Sequence, residues 1–414
     1  MIWSVIGCWA IMVMIPMNQP NARNRYFNRL KKEKKAFDRS VVEKNAKKGI
    51  WALVNRKSKG NSRVELNLNG QVARDPVVVA NAFAEHYETK IERLRTEPQL
   101  EKILPLLESY YDTKSGEKDT WDLHMVTTAE VRKLLAGIPA KSSTGPDDLS
   151  NKLIKDVADW IIDVLRDIIN MSLIGGQFPG EWRVAKVVPI YKGRGKRDEA
   201  DSYRPVAMTS NLGKIVEAAF RQQLKKQLEE RNILPDSLYG FRSGRGTVDA
   251  INNVVDCAKD KLAKNKKVAV IALDASSAFN LLSRDLVIET LKIVHAGPLL
   301  IRWLSIFLSE RYSYVEIKNM KSKVWPVEVG VPEGGLASPD LYGIGTISMA
   351  IWSNKLESTL YANDACGVVW ADTATECHDR VQEVAVSLSE WYKFSGLTLN
   401  PKKSEYIPFN YDPD

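Results

Sequence analysis

Cysteine and histidine are scarce in this 414-residue chain, with four of each. Cys8, Cys257, Cys366 and Cys377 form no CxxC pair, and the histidines are as scattered. That argues against a zinc site or a disulfide framework and points to a reducing compartment. No fixed repeat period and no low-complexity tract occurs, so a solenoid or a fibrous protein is not expected. Long hydrophobic runs are missing except at the start, where Met1 to Met17 is almost wholly apolar. This stretch has the length of a weak signal or membrane segment, but it lacks a basic n-region and a small-residue cleavage site. It reads instead as a ragged start or a fragment of something longer, in a protein that is intracellular, nuclear or cytoplasmic, not secreted and without a membrane partner.

Charge is plentiful but uneven. The net charge is +8, yet Arg23 to Lys59 alone holds fourteen Lys or Arg against Glu33, Asp38 and Glu43, which leaves the rest slightly acidic. Such a segment suits a polyanion such as nucleic acid; a solvated basic helix explains the charge equally well. At 44% hydrophobic residues the chain has enough apolar content for two or three globular lobes.

Local patterns give a coarse map. Val64 to Val72, with Asn69-Gly70 inside, reads as a hairpin. Asp75-Pro76 opens an amphipathic helix, and residues 112 to 122 read as a polar linker. Thr127-Thr128-Ala129-Glu130 starts a helix, and Gly145-Pro146-Asp147 forms a turn. A strand from Val184 leads into the loop Tyr191 to Arg197, whose glycines and four cations let phosphates approach closely. Arg204, on a second strand, is expected to face the same space. Ser237 to Thr247 is another loop rich in glycine and arginine.

Two stretches carry candidate chemistry. Val268 to Asp274 is an apolar strand ending on a carboxylate, followed by the small residues Ala275, Ser276 and Ser277. Thr359 to Trp370 reads as strand, tight turn and strand, with Asp364 at the tip. Laid side by side, these strands bring Asp274 and Asp364 together as a place to hold a cation.

The order of these landmarks resembles the reverse transcriptase domain of non-LTR retrotransposons of the jockey or LINE type. The resemblance covers about Lys141 to Phe409. It runs through Gly145-Pro146-Asp147, Phe178-Pro179 with Trp182, Lys192, Tyr203-Arg204-Pro205, Gly240-Phe241-Arg242, Leu273-Asp274 and Ala278-Phe279. It continues with Gly330-Val331-Pro332 together with Ser338-Pro339, then Tyr361-Ala362-Asn363-Asp364, and last Gly396-Leu397-Thr398-Leu399-Asn400 together with Lys402-Lys403. One such match says little; ten in order are specific.

The resemblance implies an α+β right-hand polymerase with fingers, a palm built on an antiparallel sheet, and a helical N-terminal extension. Its expected parts are 1–22, an apolar segment without assigned meaning; 23–122, the basic extension; 123–262, fingers and the start of the palm; and 263–414, palm, with the thumb largely absent after Asp414. The implied reaction is RNA-directed DNA synthesis on an RNA template and a DNA primer, from deoxynucleoside triphosphates. Two Mg²⁺ ions, with Mn²⁺ as a substitute, fit such chemistry because hard cations take oxygen ligands and a pair about 3.5–4 Å apart activates the attacking and leaving oxygens.

By the same resemblance Asp274 and Asp364 are metal ligands, and Asn363 stands in a catalytic position where the family has an aspartate. Phe279 is read as a steric gate against a 2′-hydroxyl, although a core phenylalanine at a strand end is the plain alternative. Lys192 and Arg204 are read as triphosphate contacts; Lys192 also reads as a solvated loop lysine. Glu333 and Gly334 lie in the loop under the templating base, with Glu333 in place of a glutamine and Asn280 in place of an aspartate. Asn363, Glu333 and Asn280 together read as accumulated damage, so the expected activity is impaired. The alternatives are an inactive remnant that binds nucleic acid at most, and an RNA-directed RNA polymerase, against which Phe279 argues.

Overall fold

The computed structural model describes residues 64–114, 119–353 and 356–409; the apolar start and the basic segment Arg23 to Lys59 lie outside them. Two compact units divide the chain. The described part of the first covers 64–83, 190–204 and 316–322, and the second covers 84–189, 205–315 and 323–409 with the gaps already given.

In the first unit, β1 (Leu66–Leu68) and β2 (Gln71–Ala73) form the expected hairpin. Asn69 and Gly70 take positive φ values of 53° and 87°, which an Asn-Gly turn supplies with little strain. The first unit also contains the loop between β3 (Val184–Tyr191) and β4 (Tyr203–Met208). Tyr203 packs edge-on against Phe83 and Tyr191, with ring centroids 5.1 and 5.6 Å apart. Asn67 N–H donates to the Asp198 carbonyl at 2.8 Å, tying the small hairpin to that loop.

The second unit is built on β5 (Lys267–Ser276), whose apolar run from Val268 to Leu273 suits a strand covered on both faces. Alternation divides its side chains. Val268 and Val270 pack with Ala258 and Val368, under the helix Thr247–Ala263. Ala269, Ile271, Leu273 and Ala275 enter the main core with Val381, Val384 and Leu388 of the helix Ala374–Ser395.

Three strands follow β5 in the chain. β6 (Arg311–Ile317) pairs in parallel with β3 over residues 312–315, while β7 (Met320–Lys321) and β8 (Trp325–Val327) return antiparallel to it. The sheet around β5 is then completed by β9 (Glu357–Tyr361), β10 (Asp364–Ala371), β11 (Thr398–Leu399) and β12 (Glu405–Phe409). Its order is β11-β5-β10-β9, antiparallel throughout, and β12 also pairs with β5.

Two sequence readings change in detail. β5 does not end on its carboxylate: it runs on to Ser276, and the break comes at Ser277 with φ 49°. The end of the supposed linker is anchored. Trp121 is buried and its indole donates to the Val294 carbonyl, while Asp122 accepts from the backbone N–H groups of Leu299 and Leu300 at the start of the helix Pro298–Leu308.

Several landmarks prove to be packing devices. Phe178 meets Trp182, Trp303 and Phe307 edge-on, and Trp303 stacks on Phe220 at 4.0 Å. A side chain at Gly145 would lie 2.3 Å from the Thr209 carbonyl oxygen. The turn therefore sits close enough for Asp147 to accept from the Ser210 hydroxyl and the Asn211 N–H, at the N-terminus of the helix Asn211–Glu230. Among the described residues no helix is long and apolar enough to cross a membrane.

Candidate active site

Register places the two carboxylates. Asp364 is the first residue of β10 and stands directly opposite Asp274 of β5, so both side chains leave the same face of the sheet. The turn between β9 and β10 contains only Ala362 and Asn363, and Ala362 adopts φ 54°, an uncommon conformation for a residue with a Cβ. This reversal brings the Asn363 amide toward Asp274, with Nδ2 3.5 Å from Oδ1.

Asp274 is buried and its other oxygen is well supplied with donors. Oδ2 accepts from the Lys403 ammonium at 2.9 Å and from the Asn400 side-chain amide at 3.1 Å. Asn400 also donates its backbone N–H to the Asp274 carbonyl at 2.8 Å, which locks the last strands to the site. Asp364 is more open. Partial burial, then the charge of Asp274, hold its carboxyl above the usual carboxylate range, and Lys403 opposes them. Among the described residues no cluster of three His, Cys, Asp or Glu side chains is present. The donor set here is two carboxylates and one neutral amide, which suits a hard divalent cation between Asp274 and Asp364 but offers a third ligand without charge.

Sequence reasoning gave no role to the segment that holds the hairpin in place. Leu360 N–H donates to the Ser237 carbonyl, and Tyr239 N–H donates back to the Leu360 carbonyl, both at 2.8 Å. Residues 237 to 240 thus run along the outer edge of β9. A Cβ at Gly240 would stand 2.3 Å from the Ala362 nitrogen, so only glycine permits this approach to the turn. Arg242 secures the strap from behind: it pairs with Glu229 at 2.7 Å and donates to the Pro235 carbonyl at 2.9 Å. Glycine beside an apparently ordinary loop was the available signal.

Phe279 is half-buried, its ring 5.0 Å from that of Tyr342. Tyr342, also missed, is buried on the helix Ser338–Gly345. Burial raises its hydroxyl pKa, followed by the nearby Tyr392, Asp274 and Asp364. Tyr342 therefore backs the Phe279 ring and lies near both carboxylates. The interval of four between Ser338 and Tyr342 on a helix was the only hint in the sequence.

The loop from Gly330 to Ala337 lies against the segment Phe279-Asn280. Val331 N–H donates to the Phe279 carbonyl at 2.8 Å, and a Cβ at Gly330 would meet the Asn280 carbonyl at 2.4 Å. Glu333 accepts at its carbonyl from Ala207 N–H, and Gly334 passes so close to Ala207 that a Cβ would meet its carbonyl oxygen. Glu217, fully inside, accepts from Ala337 N–H at 2.9 Å and so fixes the far end of the loop. Glu333 and Asn280, expected as two separate losses, face each other: the Asn280 amide donates to the Glu333 carboxylate at 3.2 Å.

Lys192 and Arg204 belong to the first unit. Lys192 donates its backbone N–H to the Ser202 carbonyl and its ammonium to the Asp201 carbonyl at 2.5 Å, so it stitches its own loop. Arg204 is exposed on β4.

A family model described as reverse transcriptase (RNA-dependent DNA polymerase) matches residues 193–411. The RNA-directed DNA polymerase from mobile element jockey of Drosophila melanogaster is 27% identical over 351 residues, covering 83% of this chain and 38% of that protein. Its counterpart from Drosophila funebris is 25% identical over 370 residues, 87% of this chain and 40% of the relative. A third similar protein, "Probable RNA-directed DNA polymerase from transposon BS" of Drosophila melanogaster, is 26% identical over 344 residues, 81% of this chain and 37% of its own length. The chain thus spans about two fifths of these curated relatives.

Proposed function

Because the chain belongs to the reverse transcriptase (RNA-dependent DNA polymerase) family and is jockey-like within it, we propose that its site extends a DNA primer along an RNA template, with impaired efficiency in this chain. The observation that carries the reading is the pairing of Asp274 with Asp364 across β5 and β10, beside a two-residue turn. Two acids facing each other on one face repel unless a cation joins them; burial first and then Asp274 raise the Asp364 pKa, and Lys403 opposes both.

Asp274 and Asp364 are the ligands we assign to Mg²⁺, with Mn²⁺ as an equivalent hard ion. When bound, such ions activate a primer hydroxyl and neutralise charge developing on the triphosphate. Lys403 and Asn400 hold the Asp274 carboxylate in one orientation. Phe279, backed by Tyr342, is assigned to exclude a ribose 2′-hydroxyl. Glu333 and Gly334 keep their place in the loop under the templating base on the strength of the family resemblance, while the glycines at 330 and 334 let that loop pack against the backbone of Asn280 and Ala207. Lys192 and Arg204 keep their assignment as triphosphate contacts on the strength of the family resemblance, Arg204 through its fork of donors. Fingers and palm are the corresponding reading of the fold, within the mixed helix and antiparallel sheet described above.

Impairment follows from Asn363. A carboxylate there adds a full negative charge to the site, whereas the amide turns an N–H toward Asp274. The same contact favours a second reading, an inactive remnant that binds nucleic acid without extending it. Primer extension on an RNA template with each nucleotide set separates the outcomes. Slow, Mg²⁺-dependent incorporation of deoxynucleotides supports the first reading. Incorporation of ribonucleotides at equal rate contradicts the gate assignment, and none at all favours the remnant.

A further inference from the structure

The half-buried contact between Asn280 and Glu333 joins two segments that meet the gate from different directions. Asn280 directly follows Phe279 in the short helix Ala278–Leu281, which begins after β5 ends at Ser276. Glu333 sits midway along the loop 330–337, which is tied at one end to the Phe279 carbonyl and Leu282, and at the other to Glu217. Its own carbonyl is held by Ala207 N–H. Between these backbone ties, the amide and the carboxylate form a side-chain link from the loop to the residue beside the gate.

We propose that Asn280 and Glu333 act as a matched positioning pair that sets the Phe279 ring against the incoming sugar, so that sugar selection depends on both side chains together. Chemistry fixes which combinations fit. A carboxylate accepts only, so one partner must donate; amide with carboxylate satisfies this in either order, and two carboxylates do not. An aspartate at 280 facing Glu333 puts like charges in hydrogen-bond range and drives the segments apart. A glutamine at 333 facing Asn280 keeps a donor and loses the charge. Exchanging both residues returns a hydrogen bond and the same single negative charge. Asn280 and Glu333 are thus one coupled exchange, not two independent injuries.

This inference rests on the reverse transcriptase reading of the site. Its test is photolabelling of the protein, bound to an RNA template and DNA primer with Mn²⁺, by radiolabelled dTTP and by UTP. The readout is the dTTP:UTP labelling ratio, which a merely structural loss of stability does not move. Asn280→Asp is expected to lower the ratio about five-fold, and Asn280→Asp with Glu333→Gln to bring it back within about two-fold of the unaltered protein. Glu333→Gln alone is expected to move it less than Asn280→Asp. A double variant no better than Asn280→Asp, or a ratio unmoved by Asn280→Asp, overturns the pairing while leaving the polymerase reading intact. Absence of labelling in the unaltered protein overturns both.

Discussion

At the scale of single residues, the site is governed by how much negative charge stands around Asp274. Asp364 is held above its usual pKa by burial and by Asp274, so its protonated form is favoured by folding. The folded chain then binds more protons than the unfolded one, and the stability this brings is present in acid and lost as pH rises through the raised pKa. Asp364→Asn should therefore raise the melting temperature at neutral pH in EDTA and lose that advantage near pH 4. The gain is less than ~1 kcal/mol, since the carboxylate is largely exposed. A lower melting temperature at neutral pH would show that the two acids do not repel. Lys403 is the matching counter-charge: Lys403→Ala leaves Asp274 with the two amides and should lower primer extension. Loss of extension with unchanged binding of primer and template is the pattern expected of a group that orients a ligand, and equal loss of both would deny it that role.

Among the elements, the hairpin β9–β10 depends on the strap that runs beside it. Gly240→Ala must push either the strap or the turn at Ala362, because the obstacle is backbone. Overpacking of this kind costs about 1–3 kcal/mol, and here it displaces Asn363 and Asp364 as well. Extension should fall further than the loss of stability explains, and a variant with reduced stability but normal extension would deny the strap its role. Much of this element was legible in advance. The apolar run before Asp274 and the tight turn before Asp364 announced two strands whose acids converge if they lie side by side, and the register of β10 on β5 then sets them on one face. The strap was not legible, because Ser237 to Gly240 lacks a strand-like pattern and gains its pairing only from the edge that β9 leaves open. Tyr342, Asn400 and the contact of Asn280 with Glu333 were hidden for a related reason: each is made by residues tens of positions apart, whose meeting depends on how the loops close. Trp121 and Asp122 show the opposite error, where polar composition suggested a linker and the structure shows a helix cap.

For the whole molecule, the basic segment and the site make separate demands on nucleic acid. If Arg23 to Lys59 grips the phosphate backbone, removing it should weaken RNA binding and flatten its dependence on salt. Titration of binding against salt concentration measures this, and an unchanged slope would deny the segment that role. On the proposed reading, Asp274, Asn363 and Asp364 form a reverse transcriptase site that lacks one carboxylate. The most direct measurement is primer extension on an RNA template, titrated with Mg²⁺, for the unaltered protein and for Asn363→Asp. The expected result is weak extension that requires high Mg²⁺ in the unaltered protein, and a clear gain at lower Mg²⁺ with the aspartate. Vigorous extension by the unaltered protein that Asn363→Asp leaves unimproved would contradict it.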